Sequence, residues 1–168
     1  MPYLHRPGDF GGSSRDFSEF FERFARELAA AVALATGDVS GAEDAIQEAM
    51  TAAYADWNRV SQMGRPDIWV LRVAQRKAID VWRKRRREGV LDDASARASV
   101  PDVVQRLWVT WGLESLTPED RMLVILRHRD SLSVDEIAVA LRKPPNTVAV
   151  ALKRARRRLR RVLKEVDQ

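Results

Sequence analysis

The chain has 168 residues, 45% of them apolar, and a formal net charge of +5, which suits one domain or two small ones with real cores and excludes a disordered tail. It has no cysteine, which excludes disulfides and thiolate metal sites, and its only two histidines, His5 and His128, are too far apart in the sequence to suggest a paired site, so no cofactor or metal is expected. No run of about 18 apolar residues occurs, and the opening stretch MPYLHRPGDFGGSSR lacks an apolar segment of signal-peptide length; the expectation is a soluble cytoplasmic protein with a flexible leader over residues 1–15 and no membrane insertion.

In chain order, the first predicted helix runs from about Asp16 to Thr36. Phe17, Phe20, Phe21, Phe24, Leu28, Ala31 and Val32 form its apolar side, and Gly37 stands as its C-terminal stop. The second runs from Ser40 to Trp57, where Ser40 and Glu43 have the spacing of a capping box. Ile46, Met50, Ala53 and Trp57 recur as its buried stripe, while Asp44, Gln47, Glu48 and Thr51 recur on another face. That polar face either stays in water or meets a partner. The loop NRVSQMGRP, Asn58 to Pro66, is polar, basic and glycine-bearing, and Pro66 opens a third helix that ends at Gly89. Val70, Val73, Ala74, Ala78, Val81 and Trp82 supply its apolar side, and Arg72, Arg76, Lys77 and Arg83 to Arg87 its charge.

Apolar periodicity lapses in GVLDDASARASVP, Gly89 to Pro101, which reads as a linker between a module over residues 16–88 and one over 102–168. Thirteen residues stretch to roughly 45 Å and average nearer 20 Å as a flexible coil, so the modules can engage distant sites without touching each other. Beyond the linker, DVVQRLWVTWGLESL precedes a helix capped by Thr117 with Pro118 at its first position. Ser133 and Glu136 form a second capping-box pattern opening a short helix; Arg142 to Pro144 break it, and Pro145 starts a long basic one. Short helix, turn and longer basic helix is the helix-turn-helix arrangement, whose second helix lies in the major groove of DNA. Val148, Leu152, Ala155, Leu159 and Val162 face inward on that helix, leaving Asn146, Ala149, Val150, Lys153, Arg154, Arg157 and Arg161 outside.

Charge alternates along the chain. Residues 1–57 carry −6, 58–88 carry +7, 89–140 carry −4 and 141–168 carry +8. Two acidic-then-basic blocks suggest two modules that touch a polyanion at separate places. An enzyme is disfavoured, because no nucleophile and base arrangement, phosphate-cradling glycine loop or metal spacing occurs. The alternative binding reading, a helix-turn-helix regulator dimerising on a palindrome, leaves the acidic helix and the loop before Pro66 without a role.

AEDAIQEAMTAAYADW, PDIWVLRVAQRKAIDVWRKRRR and LTPEDRMLVILRHRDSLSVDEIAVALRKPPNTVAVALKRARRRL, in this order over about residues 17–163, resemble regions two and four of extracytoplasmic-function (ECF) sigma factors, the compact members of the sigma-70 family. The resemblance implies an all-α fold of two small helical domains, a sigma region 2 and a region 4, that binds core RNA polymerase and promoter DNA and starts transcription. It implies that Asp44, Gln47, Glu48 and Thr51 bind the beta-prime coiled coil of the core enzyme. It further implies that Arg59, Ser61, Gln62, Arg65, Trp69, Arg72, Arg76 and Lys77 hold the opened minus-ten element, whose exposed strand needs cations, an aromatic platform and a pocket for a flipped base. Asn146, Thr147, Ala149, Val150, Lys153, Arg154 and Arg157 would meet the minus-thirty-five element. The beta flap and an anti-sigma factor are further implied partners.

The sequence departs from the family at two places. The helix-turn-helix turn, which often has glycine, carries RKPP, and Ala149, Val150 and Ala151 stand where relatives usually offer basic or hydroxyl groups. Small apolar groups touch a thymine methyl but cannot make the bidentate guanine contact of arginine, worth about 1–3 kcal/mol of discrimination. Upstream recognition is therefore expected to be weak in sequence preference and steep in salt. Arg76 and Lys77 replace the Asn and apolar residue that relatives often have, which leaves the minus-ten sequence open.

Overall fold

A computed structural model describes residues 10–89, 113–128 and 131–166, with side chains described as far as Val162. Among the described residues every regular element is an α-helix. The linker from residue 90 onward, residues 102–112 of the stretch DVVQRLWVTWGLESL and residues 1–9 of the leader lie outside them.

Helix α1 (Ser14–Thr36) begins two residues earlier than its periodicity suggests, because Ser13 and Asp16 form a reciprocal capping box. It stops at Gly37, whose φ of 73° is left-handed and whose N–H donates to Ala33 O at 2.7 Å. Glycine occupies that backbone region without steric cost. Phe20, Phe24, Leu28, Ala31 and Val32 are buried, while Phe17 is half-buried and Phe21, expected in the stripe, is exposed.

Helix α2 (Val39–Ala55) is not capped by Ser40. Asp38 is the N-cap, its carboxylate accepting from the Gly41 N–H at 2.9 Å and pairing also with Arg85. The ion pair comes from residues 47 positions apart in the chain, so local pattern could not reveal it. Ala42, Ala45, Ala49 and Ala53 are buried beside Ile46 and Met50; small residues in a row let α2 pack closely between α1 and α4. Trp57 does not continue α2 but opens a single turn, α3 (Trp57–Val60), and is buried with Val60.

Helix α4 (Pro66–Arg87) turns a face slightly different from the expected one toward the core. Ile68, Val70, Leu71, Ala74, Ala78 and Ile79 are buried, whereas Val73, Val81 and Trp82 are only half-covered. Arg86 lies over the Trp82 ring at 5.1 Å, so this tryptophan serves a cation at the surface rather than the core.

In the second module, α5 (Pro118–His128), α6 (Val134–Leu141) and α7 (Pro145–Val166) pack pairwise. Thr117 Oγ1 accepts from Asp120 N at 3.2 Å, and Ser133 with Glu136 forms the expected capping box of α6. The turn after α6 bends at Arg142, φ 51°, with Lys143 N donating to Ala138 O and Arg142 N to Val139 O. That is the Schellman geometry, made here by an arginine in the position that suits glycine. Val148, Leu152 and Ala155 seat α7 on α5 and α6, with Leu159 half-buried beyond them.

The two modules touch, although the linker is long enough to let them work apart. Helix α1 packs on α5 and α4 on α6, and the buried side chains of both modules belong to one contiguous apolar cluster. Arg83 on α4 bonds Glu119 on α5 at 2.5 Å, and Arg121 Nη1 donates to Ala35 O at 3.3 Å. The acidic first turn of α5 thus finds a cation near the end of α4.

Candidate functional site

Burial of the alanine face of α2 forces Asp44, Gln47, Glu48 and Thr51 together onto its solvent face. The Thr51 hydroxyl bonds back to Gln47 O at 2.9 Å, which leaves the two carboxylates and the amide as the outward groups. Glu48 pairs with Lys77 of α4 across the helix interface, both side chains about half-exposed. Tyr54, 54% exposed, extends the same face by one turn with its ring 4.9 Å from that of Phe17. Its spacing of three from Thr51 is visible in the sequence, but it is not among the expected contact residues.

The loop after α3 and the outer side of α4 carry the second group. Arg59, Gln62, Arg76 and Lys77 are exposed, and Arg59 Nε bonds Asp56 at 2.5 Å. Ser61, expected as a contact residue, is buried with its hydroxyl turned to Asn58 O at 3.4 Å, where it shapes the turn rather than standing on the surface. Arg65 grips the buried Asp67 through two nitrogens at 2.7–3.2 Å. Trp69 is half-buried against the core, at the edge of this surface rather than standing out from it. Arg72 is half-buried; desolvation first, then the nearby Arg142 and Arg59, lower its pKa. Arg142 belongs to the helix-turn-helix turn, so the second module lies close over this part of α4.

On α7, Asn146, Thr147, Ala149, Val150, Lys153 and Arg157 all face solvent, with Val150 65% exposed. A groove of about 530 Å³ between α5 and α7 is lined by Asn146, Thr147 and Val150 among others. Arg154 is the exception to the expected set. Its guanidinium bonds both oxygens of Asp120 at 2.8–3.3 Å, and this raises its pKa, hydrogen bonding being the larger cause. Asp120 is buried; a carboxylate so placed needs a cation. Arg154 is thus a fastener of α7 to α5. Sequence reasoning overlooked both Asp67 and Asp120, because acids in a first turn are ordinarily solvated partners of the helix dipole. The charge run Arg83 to Arg87 is likewise engaged in part, through Arg83 with Glu119 and Arg85 with Asp38.

Residues 20–88 match the family model for sigma-70 region 2, and residues 112–159 the model for sigma-70 region 4. The chain is 30% identical over 160 residues to an RNA polymerase sigma-E factor of Streptomyces avermitilis, covering 93% of this chain and 89% of the relative. It is 31% identical to the RNA polymerase sigma-E factor of Streptomyces antibioticus, covering 77% of this chain and 74% of that one. With the ECF RNA polymerase sigma factor SigL of Mycobacterium tuberculosis it shares 30% identity over 78% of this chain and 79% of the relative. Two small helical modules, an acidic helix face beside a basic loop, and a helix-turn-helix in this order agree with those matches: the chain belongs to the ECF group of the sigma-70 family and is an RNA polymerase sigma factor.

Proposed function

We propose that the chain attaches to core RNA polymerase through the outward face of α2, and that its two basic surfaces then place the enzyme on a promoter. Asp44, Gln47 and Glu48, flanked by Thr51, meet the beta-prime coiled coil, where carboxylates and an amide can form charge-assisted hydrogen bonds with arginines. The second module meets the beta flap. The observation that carries this reading is the segregation of the α2 face: its acids and amide stand together in solvent beside, and separate from, the basic loop. Glu48 exchanges Lys77 for a polymerase cation on docking, which frees Lys77 for the DNA strand.

Arg59, Gln62, Arg72, Arg76 and Lys77 then hold the opened minus-ten element, with Arg65 and Trp69 at its margin. Asn146, Thr147, Ala149, Val150, Lys153 and Arg157 face the minus-thirty-five element, where the affinity is chiefly electrostatic. The protein works in the cytoplasm with the polymerase and performs no chemistry of its own. Members of the group often have anti-sigma factors, which makes such a protein a further partner to seek.

Co-elution with core polymerase and run-off transcription test this reading. Reversing both charges, Asp44→Lys with Glu48→Lys, is expected to weaken core binding at least about thirtyfold, because losing one buried charged pair costs roughly 2–5 kcal/mol at an interface. Unchanged co-elution and transcription by that variant would refute the docking face. Upstream footprints are expected to fade steeply between about 50 and 200 mM salt; a sharp, salt-insensitive preference for one upstream hexamer contradicts the electrostatic account.

A further inference from the structure

We infer that residues 10–13, ahead of α1, are a positioning element for the loop Asn58–Pro66, acting chiefly through Phe10. The inference rests on the reading of that loop as part of the minus-ten surface.

The helix that opens the loop, α3, is a single turn without a side-chain cap, and one turn does not hold itself in water. Its place is set by the burial of Trp57 and Val60. Among the described residues the Trp57 indole has no hydrogen bond to orient it, since its buried Nε1 lacks a partner there. Ring packing among the described residues therefore orients the tryptophan: Phe17 at 5.2 Å, Phe20 at 5.0 Å and Phe10 at 6.1 Å surround it. Phe10 is itself buried, edge-on to Phe20 at 5.4 Å and to Phe24 at 6.3 Å. Such edge contacts are directional, so Phe10 defines where the indole lies and does more than fill space.

The backbone after Phe10 makes the second contact. A Cβ on Gly12 would come within 3.8 Å of Asn58 Cα, 3.5 Å of Asn58 Cγ and closer still to its Oδ1, so residue 12 lies directly against the first residue of the loop. The segment is held at both ends, by Phe10 in the core and by Ser13 in the cap, where Ser13 N donates to Asp16 at 3.0 Å. It lies outside the stretches that match the family models, which begin at residue 20. A loop that must seat a melted strand needs its supports within about 0.5 Å of the productive geometry, and this segment supplies one of them from outside region 2.

The test compares run-off transcription by the full chain with core polymerase on two templates, one fully duplex and one with the minus-ten segment pre-melted by mismatches. Phe10→Ala is expected to lower the duplex to pre-melted ratio about fivefold or more while co-elution with core polymerase is kept, and Phe10→Leu, which refills the space without an aromatic edge, is expected to restore only part of it. Gly12→Val, which disturbs Asn58 without emptying the core, should lower the ratio in the same direction and carries the test if Phe10→Ala does not fold. Leu28→Ala, one turn beyond Phe24 on α1 and brought to the same loss of Tm, serves as the control. If Leu28→Ala lowers the ratio as much, or if Gly12→Val and a folded Phe10→Ala leave it unmoved while the wild-type chain is active, the positioning role is overturned. Failure of the wild-type chain on both templates sinks the reading of the loop as well.

Discussion

Asp67 and Asp120 occupy parallel places, each in the first turn of a helix that starts with proline, each buried, and each gripped by an arginine of its own module. Both arginines were candidates for DNA contact. Their charges already have a partner, and for Arg154 the direction of its shifted pKa follows from that carboxylate. Asp120→Ala is expected to destabilise the protein by roughly 1–3 kcal/mol in urea titrations, because it removes charged hydrogen bonds next to a core. On DNA the two kinds of cation should separate: Lys153→Ala or Arg157→Ala lowers the slope of log affinity against log salt by about one, as expected for a phosphate contact, whereas Arg154→Ala leaves the slope and lowers stability. Arg142 offers a test of opposite sign. Held at φ 51°, it sits where an L residue costs about 1–2 kcal/mol, while glycine loses about 0.5–1 kcal/mol through entropy; Arg142→Gly should therefore raise stability by up to about 1 kcal/mol.

The capping box of α6 is the device that starts the helix-turn-helix. Glu136 Oε2 accepts from Ser133 N at 2.7 Å, and Glu136 N donates to Ser133 Oγ at 3.2 Å. The backbone hydrogen bond, then the side-chain one, lowers the pKa of Glu136 from its ordinary 4.5. A depressed carboxylate pKa contributes stability that is fully present above 4.5 and is lost as pH falls through the folded-state value. Wild type and Glu136→Gln should therefore converge in Tm as the medium is acidified below that point, with the charge-dependent part of the gap gone once Glu136 is protonated; a constant gap contradicts the assignment. Ser133→Ala is expected to cost about 1 kcal/mol at neutral pH, read from thermal melts. In the first module the equivalent start is split between Ser13 with Asp16 on α1 and Asp38 on α2, and the Asp38 cap depends on tertiary structure through Arg85.

For the molecule as a whole, contact between the modules is the property with the largest consequence. Helix α6 and its following turn lie against α4, and Arg142 is near enough to Arg72 to lower its pKa. Arg83 with Glu119 and Arg121 with the Ala35 carbonyl hold the far side of the same contact. An ion pair at such a rim is worth up to about 1 kcal/mol, enough to shift the balance between packed and separated modules several-fold. Glu119→Arg should enlarge the radius of gyration and weaken energy transfer between dyes on the two modules, and adding Arg83→Glu should recover both. If Glu119→Arg changes neither, this pair does not hold the modules together.

Helix identity, helix order and the solvent placement of Asp44, Gln47, Glu48, Lys153 and Arg157 were legible in the chain by itself, because 3.6-residue periodicity and short-range caps such as Ser133 with Glu136 are properties of neighbouring residues. The resemblance carried by those helices named the family correctly. What neighbours cannot specify was decided by tertiary structure: the burial of Ser61, the rotation of α4 that hides Leu71 and Ile79 and leaves Val81 and Trp82 at the surface, the anchoring of Phe10, and the partners of Arg65 and Arg154. A lone aromatic between Asp9 and two glycines has no period to read. The contact between modules belongs to the same group, since it joins residues 36 and 86 positions apart through surfaces that exist only once each helix has been packed.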